Sequence, residues 1–190
     1  AVASETSDAT LENLIAGSVP KAKTMIGVPF KRHETVRIAM IGTGLRGRSV
    51  LGEFVAVPGV RITALCDIVQ EKADKAKAIV EKVGMPAPAV YVKGDRGYEE
   101  LLKRDDIDLV YIATPWEWHV PQSLAALNAG KHVSVEVPAA YTLKELWQLV
   151  DTSELTRKHM MMMENCCYDY DELLILNMVR AGVLGEIVHG

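Results

Sequence analysis

Residues 42–47 read Gly-Thr-Gly-Leu-Arg-Gly, a complete G-x-G-x-x-G. Between a strand and a helix, glycines at this spacing do a specific job. Gly42 permits a tight turn, Gly44 lets backbone approach a pyrophosphate, and Gly47 lets the helix lie close to the strand. The helix N-terminus then offers free N–H groups and a positive dipole end to the phosphates. Asp67 stands twenty residues beyond Gly47. A carboxylate there accepts both hydroxyls of an adenosine ribose and repels a 2′-phosphate. No Arg follows in Ile68-Val69-Gln70, so the expected dinucleotide is NAD rather than NADP. The plainer roles are a structural turn for the loop and a helix N-cap for Asp67.

Three further stretches gather aromatic and ionisable side chains: Thr114-Pro115-Trp116-Glu117-Trp118-His119, Glu136-Val137-Pro138, and Glu164-Asn165-Cys166-Cys167-Tyr168. Two tryptophans in one loop suit a flat ligand such as a nicotinamide or a sugar face, or a domain interface. The cysteines Cys66, Cys166 and Cys167 form neither a disulfide framework nor a C-x-x-C metal pattern. No metal is expected. The cysteines read as small buried hydrophobes, and Met160–Met163 as core.

The elements that must position these residues alternate regularly. Apolar runs at 36–41, 60–66, 90–92, 109–113, 132–135 and 159–163 predict strands. Helical stretches at 47–57, 70–83, 98–104, 120–128, 143–158 and 173–183 follow them. Short strands apolar on both faces, each followed by a helix, imply a parallel sheet wrapped in helices. The expected fold is α/β, a Rossmann-type doubly wound parallel sheet, followed by the start of an α+β second domain. Residues 1–34 are expected to form an N-terminal arm, with Leu11, Leu14 and Ile15 in a short helical turn. Residues 35–164 would form the dinucleotide domain. Residues 165–190 would begin the next, with Gly185–Gly190 starting a strand.

Composition narrows the function classes. The chain has 190 residues, with 21 Lys and Arg against 25 Asp and Glu, for a net charge of −4. That balance excludes a generally basic surface of the kind that holds nucleic acid. No apolar run approaches the roughly 18 residues that span a bilayer.

The order G-x-G-x-x-G, then TP-x-x-x-H, then Ala129-Gly130-Lys131-His132-Val133 and Glu136-Val137-Pro138 resembles the Gfo/Idh/MocA oxidoreductases. In that group the last triplet is usually Glu-Lys-Pro, with the lysine in catalysis. Val137 stands there instead, and valine cannot transfer a proton. Together, TPWEWHVP, VEVPAA and MMENCCY resemble glycoside hydrolase family 109 more narrowly, from about residue 20 to 190. Those enzymes are NAD-dependent glycosidases of α-N-acetylgalactosaminidase type. The resemblance implies transient oxidation at the sugar C3, elimination at C1 and addition of water. It implies that Leu45 and Arg46 line the pyrophosphate loop and Asp67 holds the ribose. Trp116, Glu117, Trp118 and His119 would contact the middle and nicotinamide side of the cofactor. Glu136, Val137 and Asn165 would complete the pocket. The substrate would be a small molecule or glycan bearing N-acetylgalactosamine. Substrate-binding and proton-transfer residues would lie beyond Gly190, in a second domain through which copies could associate. The family also implies export after folding by a twin-arginine route, with a cytoplasmic location as the alternative. The alternatives in function are an NAD-dependent sugar dehydrogenase and a non-catalytic NAD-binding fragment.

Overall fold

The protein is described by a computed structural model covering residues 23–189. The helical turn expected at Leu11, Leu14 and Ile15 lies outside the described residues. A six-stranded parallel sheet is formed by β1 (Val36–Ile41), β2 (Val60–Cys66), β3 (Ala89–Tyr91), β4 (Leu109–Ile112), β5 (His132–Glu136) and β6 (Met160–Met163). The strand order is β3-β2-β1-β4-β5-β6. The order reverses between β1 and β4, which opens a crevice at their carboxyl ends. The helices are α1 (Leu45–Phe54), α2 (Gln70–Lys82), α3 (Gly97–Leu102), α4 (His119–Asn128), α5 (Leu143–Thr156) and α6 (Tyr170–Arg180).

The two-residue period of the strands divides the core. Ile38, Met40, Ile62, Leu65 and Tyr111 pack on Val50 and Leu51 of α1 and Ala76 and Val80 of α2. Their neighbours Ala39, Ile41, Val110, Ile112, Val133 and Val135 pack on the other face with Leu101, Ala126 and Leu127. Both faces are therefore closed by helices, as continuous apolar strands require.

Several boundaries differ from expectation for identifiable reasons. α1 starts at Leu45 rather than Gly47, because the turn closes by Gly44. α6 starts at Tyr170, not Leu173: Asp171 and Glu172 occupy its first turn and Arg180 its last, charges that suit the helix dipole. α5 stops at Thr156 because Arg157 adopts a left-handed conformation, φ 56°. Its start is fixed by a capping box between Thr142 and Glu145. Residues 185–189 form no strand.

Two burial expectations are corrected. β6 is an edge strand, so Met161 and Met162 are 41% and 43% exposed, while Met160 and Met163 pack on the two core faces. Only Cys66 is buried; Cys166 and Cys167 are exposed in a 3-10 turn, Asn165–Tyr168. Residues 23–35 form neither helix nor strand. Phe30 stacks on His159 with ring centroids 3.9 Å apart, and the Arg157 guanidinium donates to the Lys23 carbonyl.

One ion pair locks β1 to the start of β4. Arg37 donates to Asp108 from its backbone N and from Nε, both at 2.9 Å, and from its terminal nitrogen at 2.6 Å. The side-chain bonds come first among the causes that hold the Asp108 carboxyl down at about 2. The unfolded value is about 3.9. Lowering the folded value stabilises the protein above about pH 4, and that contribution is lost as pH falls through about 2. Arg37 is partly solvated, with 37% of its side chain exposed, so the expected contribution is about 1 kcal/mol. Urea unfolding of wild type and Asp108→Asn should differ by that amount at pH 7 and converge as the pH approaches 2.

Candidate functional site

A cleft of about 370 Å³ opens at the carboxyl ends of β1, β2 and β4. The glycine loop forms its floor, and each glycine has a separate steric reason. Gly42 has φ +91°, and a Cβ there would stand 2.5 Å from the Ala113 carbonyl oxygen. A Cβ on Gly47 would stand 2.1 Å from the Gly42 carbonyl oxygen. These two let β1, β4 and α1 come together. Gly44 differs: nothing lies within 4 Å of its Cβ position. Its bareness keeps the space above the α1 N-terminus open. That terminus has no side-chain cap and no acidic residue in its first turn. Its free N–H groups and dipole are therefore uncompensated, which is the chemistry that holds a phosphate. The cradle fits a dinucleotide.

Asp67 ends β2 at the cleft wall. Its Oδ2 accepts from Thr43 N at 2.8 Å and Thr43 Oγ1 at 2.9 Å, and its Oδ1 accepts from Val69 N at 2.9 Å. The carboxylate thus ties the glycine loop to the start of α2, whose N-cap position belongs to Val69. Oδ2 already accepts two bonds, and Oδ1 keeps lone-pair capacity for a further donor. Beside it, burial and then the Asp67 charge push the Cys66 thiol up to about 12. Cys66 is therefore an inert wall rather than a nucleophile.

Arg46 joins three strand ends. Its Nε lies 2.9 Å from Glu136 Oε1, and its terminal nitrogen donates to Asn165 Oδ1 at 2.7 Å. Tyr111 on β4 donates its hydroxyl to the same Glu136 Oε1 at 2.6 Å. Burial first, and the Glu136 carboxylate second, hold that hydroxyl protonated far above the ordinary tyrosine range.

The expected residues separate into four groups. Gly42, Gly44, Leu45, Arg46, Asp67 and Trp118 line one cleft. Glu136 and Asn165 are joined to it through Arg46. Trp116, Glu117 and Val137 stand on the neighbouring surface; Trp116 meets Tyr141 edge-on at 6.2 Å. Gly47 and His119 lie beneath. His119 is 1% exposed, with Nδ1 2.7 Å from the Pro138 carbonyl oxygen and Nε2 2.9 Å from that of Thr114. Its ring is spent on backbone, between the loops after β4 and β5.

Sequence reasoning passed over Lys72, Tyr98 and Gln122, which also line the cleft. Thr114 Oγ1 donates to Gln122 Oε1 at 2.8 Å, and Tyr98 packs edge-on against Trp118 at 6.4 Å. Tyr98 carried a weak signal, an aromatic at a predicted helix start; Lys72 carried none. Among the described residues no group of His, Cys, Asp and Glu is arranged to hold a metal ion, and no helix is long and apolar enough to cross a membrane.

Comparison with known proteins agrees with this geometry. Residues 36–164 match the oxidoreductase family with an NAD-binding Rossmann fold, Gfo/Idh/MocA. The chain is 51% identical over 182 residues to a glycosyl hydrolase family 109 protein of Streptomyces filamentosus, covering 96% of this chain and 37% of that one. It is 52% identical over 178 residues to another from Solibacter usitatus, covering 93% and 41%. The chain thus spans about two-fifths of the length of these curated relatives. The crystal structure of an NAD-binding protein from Listeria innocua superposes with a TM-score of 0.65 at 28% identity, over 80% of this chain and 42% of that one. A glycine cradle at a strand-order reversal, an acidic residue at the end of β2 and the matched residues 36–164 lead to one assignment: the chain belongs to the Gfo/Idh/MocA oxidoreductase family and carries its NAD-binding Rossmann fold.

Proposed function

We propose that this chain supplies the NAD-holding part of a glycosidase acting on glycans that bear N-acetylgalactosamine. The observation that carries the reading is Val137, placed beside an NAD cleft where a dehydrogenase of this family would use a lysine. About half of the residues match proteins named for a hydrolase family. When bound, NAD supplies a reversible hydride acceptor, so that a sugar oxidised at C3 can undergo elimination at C1 and addition of water with no net redox change.

The chain's own residues bind and orient. The α1 N-terminus and the open space at Gly44 receive the pyrophosphate. Asp67 accepts from the adenosine ribose through Oδ1 while it holds Thr43 in place through Oδ2. Arg46, Glu136 and Asn165 set the nicotinamide side, and Trp118 closes the cleft against Tyr98. Trp116, Glu117, Val137 and the loops stapled by His119 border the same end. Residues 35–164 form the NAD-binding unit in this reading, and residues from 165 begin the substrate domain. Proton transfer then falls to residues beyond Gly190, and association of copies to that second domain.

The full-length protein given NAD and p-nitrophenyl α-N-acetylgalactosaminide should release p-nitrophenol without accumulating NADH. Accumulation of NADH with a free sugar would favour a dehydrogenase and overturn the proposal. Binding of NAD with neither outcome would leave a non-catalytic module and overturn it as well.

A further inference from the structure

Tyr111 is out of place in its strand. It sits in Leu109-Val110-Tyr111-Ile112, has no exposed surface, and is the largest fully buried side chain among the described residues. An aliphatic residue would fill the same core without burying a hydroxyl, which is costly unless the hydroxyl is hydrogen-bonded. Its ring is held edge-on by Phe54, with centroids 5.4 Å apart. That leaves the hydroxyl a single place to point. It meets Glu136 Oε1 at 2.6 Å, the short distance of a charge-assisted bond.

Glu136 itself is 7% exposed. A buried carboxylate needs partners, and both of its partners take the same oxygen. Tyr111 donates to Oε1 from β4, and Arg46 approaches Oε1 from α1. Oε2 receives no hydrogen bond among the described residues. A hydroxyl donor and a guanidinium on one oxygen fix the rotation of the carboxylate and leave the other oxygen as an acceptor. Arg46 alone cannot do this firmly, because 41% of its side chain is exposed and it also serves Asn165.

We propose that Tyr111 is a positioning residue that clamps Oε1 of Glu136 and thereby presents Oε2 as a fixed acceptor to the carboxamide-bearing half of the bound dinucleotide. The proposal rests on the NAD-site reading above. The chemistry it names is an amide N–H donor, which the nicotinamide end of NAD has and ADP lacks.

Tyr111→Phe keeps the ring and removes only the hydroxyl. Calorimetric titration should show NAD binding weakened roughly fivefold to tenfold, the effect of a loosened acceptor to a polar group, while ADP binds as in wild type. In the Glu136→Gln background the same substitution should cause no further loss, because Tyr111 acts through Glu136. Equal weakening of NAD and ADP would mark a structural role and overturn the proposal, as would unchanged NAD binding. If Tyr111→Phe does not fold, wild-type NMR decides: the Tyr111 hydroxyl proton should shift on adding NAD and stay in place on adding ADP. A proton that responds to neither, or alike to both, overturns it. Failure of the wild type to bind either nucleotide would instead refute the NAD-site reading.

Discussion

Gly47→Ala is expected to damage the protein severely with a single added methyl. The new Cβ would stand 2.1 Å from the Gly42 carbonyl oxygen, and both atoms belong to backbone that the sheet and α1 hold in place. Neither can swing aside as a flexible side chain would. The cost should be about 3 kcal/mol or more, at the upper end of overpacking effects. NAD binding should be lost, because the loop and the α1 N-terminus can no longer adopt their mutual position. Gly44→Ala is the control. Its Cβ meets no neighbour within 4 Å, so it should cost less than about 1 kcal/mol of stability. It should still weaken NAD binding at least about tenfold, because a displaced pyrophosphate forfeits charge-assisted N–H bonds. Thermal unfolding and calorimetric titration of the two variants separate the roles. Equal stability losses would contradict the division between packing and ligand approach.

Asp67→Ala should produce the largest loss of affinity among the ionisable positions. It removes the acceptor for Thr43 N, Thr43 Oγ1 and Val69 N. Two of those donors sit in a buried loop, so stability should fall by about 2 kcal/mol. NAD affinity should fall about 100-fold, as expected for losing a ribose hydrogen bond to a charged acceptor. The preference for NAD over NADP should narrow, because no carboxylate remains to repel a 2′-phosphate. Asp67→Asn should be intermediate. Its one amide oxygen cannot serve donors on both sides, and its NH2 would face an N–H. An Asp67→Ala protein that binds NAD as tightly as wild type would remove the adenosine ribose from this end of β2.

The parts that local sequence displays best are those governed by local sterics. The strand β1, the turn at Gly42 and the helix α1 are contiguous, and their glycines answer to contacts within one βαβ unit. Asp67 was legible for the same reason. Tyr111 was not, since an aromatic inside an apolar strand is ordinary, and its partner Glu136 lies on a different strand. Only the β4–β5 register, which sets Tyr111 beside Ser134 and hence two residues from Glu136 on the same face, brings the two within reach. Cys166, Cys167, Met161 and Met162 were misjudged because burial depends on which strand ends up at the sheet edge. No periodicity in four consecutive methionines announces that. His119 reads as a cofactor contact from its motif; what the motif does not display is that the ring nitrogens lie beside two carbonyls contributed by different loops.

That last arrangement has a mechanical meaning. The His119 ring bridges the carbonyls of Thr114 and Pro138, 2.9 and 2.7 Å from its two nitrogens. The loop bearing Trp118 and the loop bearing Val137 are thereby joined through a rigid, buried plate. Neither can open without rotating the ring or breaking one of its contacts. On this side of the cleft, the rim loops after β4 and β5 therefore share one buried ring as their common support.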